Sequence, residues 1–161
     1  MKISRSEKGW PVTDRGDVPP ISGRLNGILR VQDEGTIGVG ATDLYFYWIK
    51  DPAYFFLLVE DSRIDMELTL RGDKLEQGKT YVIDMKNPSD VEATFLWDGS
   101  KGHSQSDKVG TLNVTLITPG DDFDEIDGYF EFEYTEMGVG FERKVEFFCQ
   151  SFSIKVPKLM S

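Results

Sequence analysis

From Ile21 onward, apolar side chains recur at every second position through most of the chain, and no other feature of the sequence constrains the fold as much. Ile64, Met66, Leu68 and Leu70 alternate with Asp65, Glu67 and Thr69. Tyr81, Ile83 and Met85 alternate with Asp84 and Lys86, and Leu112, Val114 and Leu116 with Thr111, Asn113 and Thr115. Phe130, Phe132 and Tyr134 are spaced by Glu131 and Glu133, and Phe152, Ile154 and Val156 by Ser153 and Lys155. An extended backbone points successive side chains to opposite faces, so each segment reads as a half-buried strand. Further strands are expected at Arg24 to Val31, Leu44 to Ile49, Tyr54 to Val59, Val91 to Trp97 and Arg143 to Cys149. Turn signals separate them, at Asp33 to Gly35, Lys50 to Pro52, Arg71 to Asp73, Gln77 to Gly78, Asn87 to Ser89, Asp98 to Gly99 and Asp127 to Gly128. Only Lys74 to Gln77 suggests a helical turn.

Many short strands at even spacing predict an all-β fold, an antiparallel β-sandwich of immunoglobulin-like or jelly-roll-like type with about nine to ten strands. Its core is expected to include Met66, Leu68, Ile83, Leu112, Val114, Phe130, Phe132 and Ile154. Residues 1–20, rich in Pro, Gly and charge, read as an extended N-terminal arm that Trp10 pins to the body. Residues 21–157 form a single domain, as a chain of 161 residues allows, and 158–161 a short tail. The segment Asp98 to Lys108 is expected to be a mobile surface loop.

Eighteen Lys and Arg against 28 Asp and Glu give a net charge of −10, which opposes binding to nucleic acid or anionic lipid and favours a basic protein or a cation. The single cysteine, Cys149, allows no internal disulfide; its strand neighbours Phe147 and Phe148 suggest a small core residue with a raised pKa. The first ten residues hold no signal-peptide apolar run, and Ala53 to Val59 is too short to cross a bilayer. No membrane insertion is expected. As written, the chain reads as cytoplasmic; it would be extracytoplasmic if a leader had been removed and a new Met added.

The second half resembles the small immunoglobulin-like β-sandwich modules of uncharacterised bacterial lipoproteins. The residues that carry this are Gly110 to Thr115, Asp127 to Phe132 and Ser151 to Val156, with Leu25 to Gly27 resembling the opening strand. The resemblance spans roughly Ile21 to Val156 and implies a sandwich fold; it implies no catalytic residues. The lipidated cysteine that such lipoproteins carry near their start has no counterpart here.

Among candidate sites, His103 is the only histidine, which excludes a multi-histidine metal centre; it reads as a solvated loop residue. Arg-Gly-Asp occurs at Arg15 to Asp17 and Arg71 to Asp73; it would suggest an adhesion ligand in a secreted protein, and without a secretion signal it reads as the charged tripeptide that a hairpin or an arm needs. Asp121, Asp122, Asp124, Glu125 and Asp127 crowd one segment. Their spacing departs from an EF-hand, so they suggest a solvated hairpin turn closed by Asp127 and Gly128, with a structural Ca²⁺ as the alternative. Together with Glu131, Glu133, Glu136, Glu142 and Glu146 they suggest an acidic face in which acids oppose acids across a ladder, separated by Arg143 and Lys144 or serving a basic partner. The partner-binding candidates are Asp122, Asp124, Glu131, Glu133 and Glu146. The run Asp43 to Val59 is apolar on both faces, so its hairpin is either covered on both sides or presents Tyr45, Tyr47 and Tyr54 as an aromatic ligand platform.

No catalytic, cofactor or metal residues are assigned. The expected function is a non-catalytic module that binds a basic protein, for instance an immunity or inhibitor protein for a basic toxin or enzyme. The alternatives are a carbohydrate- or ligand-binding sandwich with structural Ca²⁺ and, last, a glycoside hydrolase using two of the acids.

Overall fold

A computed structural model of the protein describes residues 3–5, 11–13, 18–50, 53–84 and 91–158. Among the described residues thirteen strands form: β1 (Ile3–Arg5), β2 (Pro11–Thr13), β3 (Pro20–Val31), β4 (Gly35–Ala41), β5 (Asp43–Lys50), β6 (Ala53–Asp61), β7 (Met66–Asp73), β8 (Thr80–Asp84), β9 (Val91–Leu96), β10 (Ser104–Gln105), β11 (Val109–Pro119), β12 (Phe123–Gly138) and β13 (Phe141–Pro157). The class is all-β. The only helical turns among the described residues are 3-10 turns at Ser62–Ile64 and Asp98–Ser100. The strand count exceeds the expected nine to ten because four short or glycine-rich strands, β1, β2, β4 and β10, carry little alternating signal.

β1 and β2 pair with each other, and the other eleven strands belong to one mixed sheet. Its pairings run from β3 through β5, β6, β7, β9, β8, β11, β12 and β13 and back to β3, with β4 added to β3 and β10 to β12. Two links in this ring are short. β3 meets β5 only at Pro20 and Ile21, and β8 meets β9 in a single parallel pair, Ile83 with Val91. The longest ladder joins β12 to β13 from Phe123 opposite Pro157 to Gly138 opposite Phe141. Its turn passes through Gly140 at φ +80°, a left-handed conformation that glycine adopts without a Cβ clash.

The eight predicted core residues are all buried in one cluster. It is centred on stacked rings: Phe132 lies 5.5 Å from Phe147 and 5.6 Å from Phe95, and Phe130 lies 5.8 Å from Phe147. Cys149 is buried here, and desolvation pushes its thiol up to about 12. A second cluster, Val18 with Tyr47, Tyr54, Phe56 and Leu58, lies on the other face of the β5–β6 hairpin. Val18, which precedes β3, packs into this cluster, and both faces of the hairpin are buried. Trp10 lies outside the described residues.

Bulges correct the expected facings. Leu116 was expected inside with Leu112 and Val114, but a register shift between Val114 and Leu116 turns it outward to 47 % exposure, and Ile117 packs against the core instead. Ile64 sits in a 3-10 turn that ends on Asp65 at φ 51°, so β7 begins at Met66. Leu112→Ala should therefore cost about 2–5 kcal/mol in urea unfolding. Leu116→Ala should stay within about 0.5 kcal/mol; equal losses would place both side chains in the core.

Candidate functional site

The acidic segment does not fold as expected. The chain turns between Pro119 and Phe123, and Asp127 and Gly128 lie inside β12 rather than closing a hairpin. An extended strand sends neighbouring side chains to opposite faces, so these carboxylates diverge instead of enclosing a cation. Asp122 is exposed in the turn. Asp124 is half-buried, takes Lys158 Nζ at 2.8 Å, and lies beside Trp48, Leu75 and Ile126 at one end of the molecule. Glu133 is nine residues further along β12, roughly 30 Å at strand rise. The five acids proposed from sequence thus do not form one surface. Asp122 and Asp124 are separate from Glu131, Glu133 and Glu146.

The latter three do come together. Glu131 pairs with Phe148 and Glu133 with Glu146 across the β12–β13 ladder, and Val109 of β11 flanks Glu133. All five side chains project from the outer face, because Phe130, Phe132, Val145 and Phe147 occupy the inner one. The opposed acids expected from sequence are thus present at Glu133 and Glu146. Lys144 Nζ lies 2.9 Å from Glu133, and this hydrogen bond, with the nearby charges of Glu133 and Glu146, raises the lysine pKa. Glu131 and Glu146 have no ion pair among the described residues. Arg30 lies over the Phe148 ring at 5.3 Å. Exposed apolar side chains share this face, with Val109 at 50 % and Tyr129 at 47 %.

The aromatic platform is corrected. Tyr47 and Tyr54 are buried and their hydroxyls meet at 3.1 Å, which leaves Tyr45 half-buried at the edge of the second cluster. Both faces of this hairpin are apolar because both are packed. Arg71, in the second Arg-Gly-Asp, turns inward to Glu92 at 3.1 Å and is not displayed; Arg15 to Asp17 lies outside the described residues.

One constellation was missed. Glu136, read as a surface acid, is 0 % exposed. Its Oε1 accepts from Arg143 at 2.8 Å and from His103 Nδ1 at 3.0 Å, and its Oε2 accepts from the Tyr134 hydroxyl at 3.2 Å. Burial alone would raise the Glu136 pKa, but the hydrogen bonds from Arg143 and His103 and the guanidinium charge outweigh it and hold the carboxyl below its ordinary value. An ionised carboxylate only accepts, so His103 Nδ1 is the donor in this contact. Arg143 also donates to Gly99 O at 2.9 Å and pairs with Glu34 at 2.9 Å. The Trp97 Nε1–H is buried beside the Tyr134 hydroxyl and finds no acceptor at hydrogen-bond geometry among the described residues.

His103 is consequently not a solvated loop residue, and the loop expected to be mobile is anchored. Gln105 Nε2 donates to Phe95 O, Ser106 N to Thr135 O, and Lys108 Nζ to Gln105 Oε1. Desolvation lowers the pKa of Lys108, whose ammonium lies 4.8 Å from the Tyr134 ring. Chemically, Glu136 is sealed from solvent and held by Arg143, His103 and Tyr134, so the cluster acts as a clasp joining β12, β13, the β3–β4 turn and the 97–108 loop. No protein-family model, curated protein or solved structure matches the chain.

Proposed function

We propose that the protein is a non-catalytic binding module whose outer β11–β12–β13 face takes a basic protein, as an immunity or inhibitor protein would take a basic toxin or enzyme. The observation that carries this reading is the placement of Glu131, Glu133 and Glu146 on adjacent rungs beside exposed Val109 and Tyr129. Like charges directly opposite destabilise a ladder. Lys144 engages Glu133 and Arg30 stands opposite Glu146, and a basic surface would offset the charge that remains while covering the apolar side chains. Interfaces combine apolar contact with charges that orient the partner in this way.

The test is capture from the native host followed by kinetics with the recovered partner. Glu131→Lys with Glu133→Lys should slow association at low salt by at least about tenfold and flatten its salt dependence. Both substitutions are at exposed positions, so stability should change by no more than about 0.5 kcal/mol each. Association indifferent to the double reversal and to salt would remove this face from consideration.

A further inference from the structure

The geometry points to a socket on this face for one arginine side chain of the partner, a deepening that rests on the acidic-face reading above. A depression of about 300 Å³ is lined by Val109, Gly110, Glu131, Glu133, Glu146 and Phe148. Two consecutive outward rungs frame it, Glu131 with Phe148 and Glu133 with Glu146. Side chains on one rung stand about 5 Å apart and those on the next about 7 Å away. Three carboxylates and one ring thus surround a space the size of a single side chain. Gly110, opposite Phe132 in the ladder, lines the depression with backbone alone, because a Cβ there would run into the Glu131 carbonyl.

Charge alone would admit any cation. The ring and Val109 select further: an arginine carries an apolar stem and a planar guanidinium that stacks on an aromatic face while its N–H groups fork to carboxylates, whereas a lysine offers only a compact charge. The molecule already places a guanidinium on this ring, since Arg30 lies 5.3 Å from the Phe148 centroid. Arg30 is an exposed residue opposite Glu146 on β3, and it competes with the incoming arginine. Lys144 is the other cation in reach, and it engages Glu133, leaving Glu131 and Glu146 as the principal acceptors.

The experiment titrates acetyl-Gly-Arg-Gly-amide into the isotope-labelled full chain at low salt, beside analogues with citrulline or lysine in place of arginine. The arginine peptide should give saturable shifts centred on Val109, Glu131 and Phe148, with citrulline at least about tenfold weaker because it keeps the shape and loses the charge. Glu131→Gln with Glu146→Gln should weaken the arginine peptide by about tenfold. Phe148→Leu should abolish the preference for arginine over lysine, and Arg30→Gln should strengthen binding. Equal shifts with arginine and citrulline, or shifts centred on the Asp121 to Asp124 turn, would overturn the socket. If the arginine peptide fails while the Glu131 and Glu133 reversal still abolishes partner binding, the socket falls and the acidic face stands. If the peptide binds as described while the partner ignores the reversal, the acidic face falls as the partner's site.

Discussion

Arg143→Met should destabilise the protein by about 3–5 kcal/mol, because it strands Glu136 as a buried carboxylate without its cation. Glu136 is 0 % exposed and the Arg143 side chain 12 %, so solvent can do little to replace the lost contact. Removing both charges should be milder than removing one: Glu136→Gln combined with Arg143→Met leaves no uncompensated charge, and a double-mutant cycle should show strong coupling. The pH dependence has a definite sign. The folded-state pKa of Glu136 lies below its ordinary value, so the stability it contributes is complete above the unfolded value of about 4.3 and disappears as pH falls through the folded one. The stability gap between wild type and Glu136→Gln should hold from neutral pH down to about 5 and narrow below about 4. A loss below about 1 kcal/mol for Arg143→Met, with no pH dependence, would mean that the clasp opens to water.

This clasp was half legible in the sequence. Continuing the alternation of Phe130, Phe132 and Tyr134 by one step puts Glu136 inside, and continuing Phe147 and Val145 back by one step puts Arg143 inside; the ladder then sets the two opposite each other. The charge of the side chains argued for solvent, and parity prevailed because each supplied the other's partner. His103 gave no comparable signal, since its contact with Glu136 depends on where the 97–108 loop crosses β12, a tertiary matter that no local spacing encodes. The strands of strict alternation were read with the correct faces. Errors arose where a bulge shifts the parity, as at Leu116, and where glycine replaces every other side chain, as in β4 with Gly38 and Gly40. Asp127 and Gly128 imitate a hairpin turn by composition, but their neighbours Ile126 and Phe130 are both claimed by the core, and the chain stays extended through them.

The same logic of parity sets the last expectation. Phe132→Ala should cost about 3–5 kcal/mol. Phe132 is 2 % exposed and touches four other rings, with Phe147 at 5.5 Å, Phe95 at 5.6 Å, and Phe130 and Tyr134 each at 6.4 Å. These neighbours come from β9, β12 and β13, so the walls of the resulting cavity are held by different strands and cannot collapse by moving one of them. Loss of the aromatic contacts adds to the transfer term, although the pairs share one ring and their contributions do not sum. Urea unfolding should show a lower midpoint at unchanged slope, which marks a change in stability and not in the denatured state. Tyr129→Ala, on the opposite face of the same strand, is the control and should change stability by no more than about 0.5 kcal/mol. Glu131 and Glu133 flank Phe132 but project outward, so the folded Phe132→Ala variant should still take the arginine peptide at near wild-type strength. If Phe132→Ala costs less than Tyr129→Ala, the two faces of β12 have been exchanged, and the acids placed outside would instead have to lie in the core.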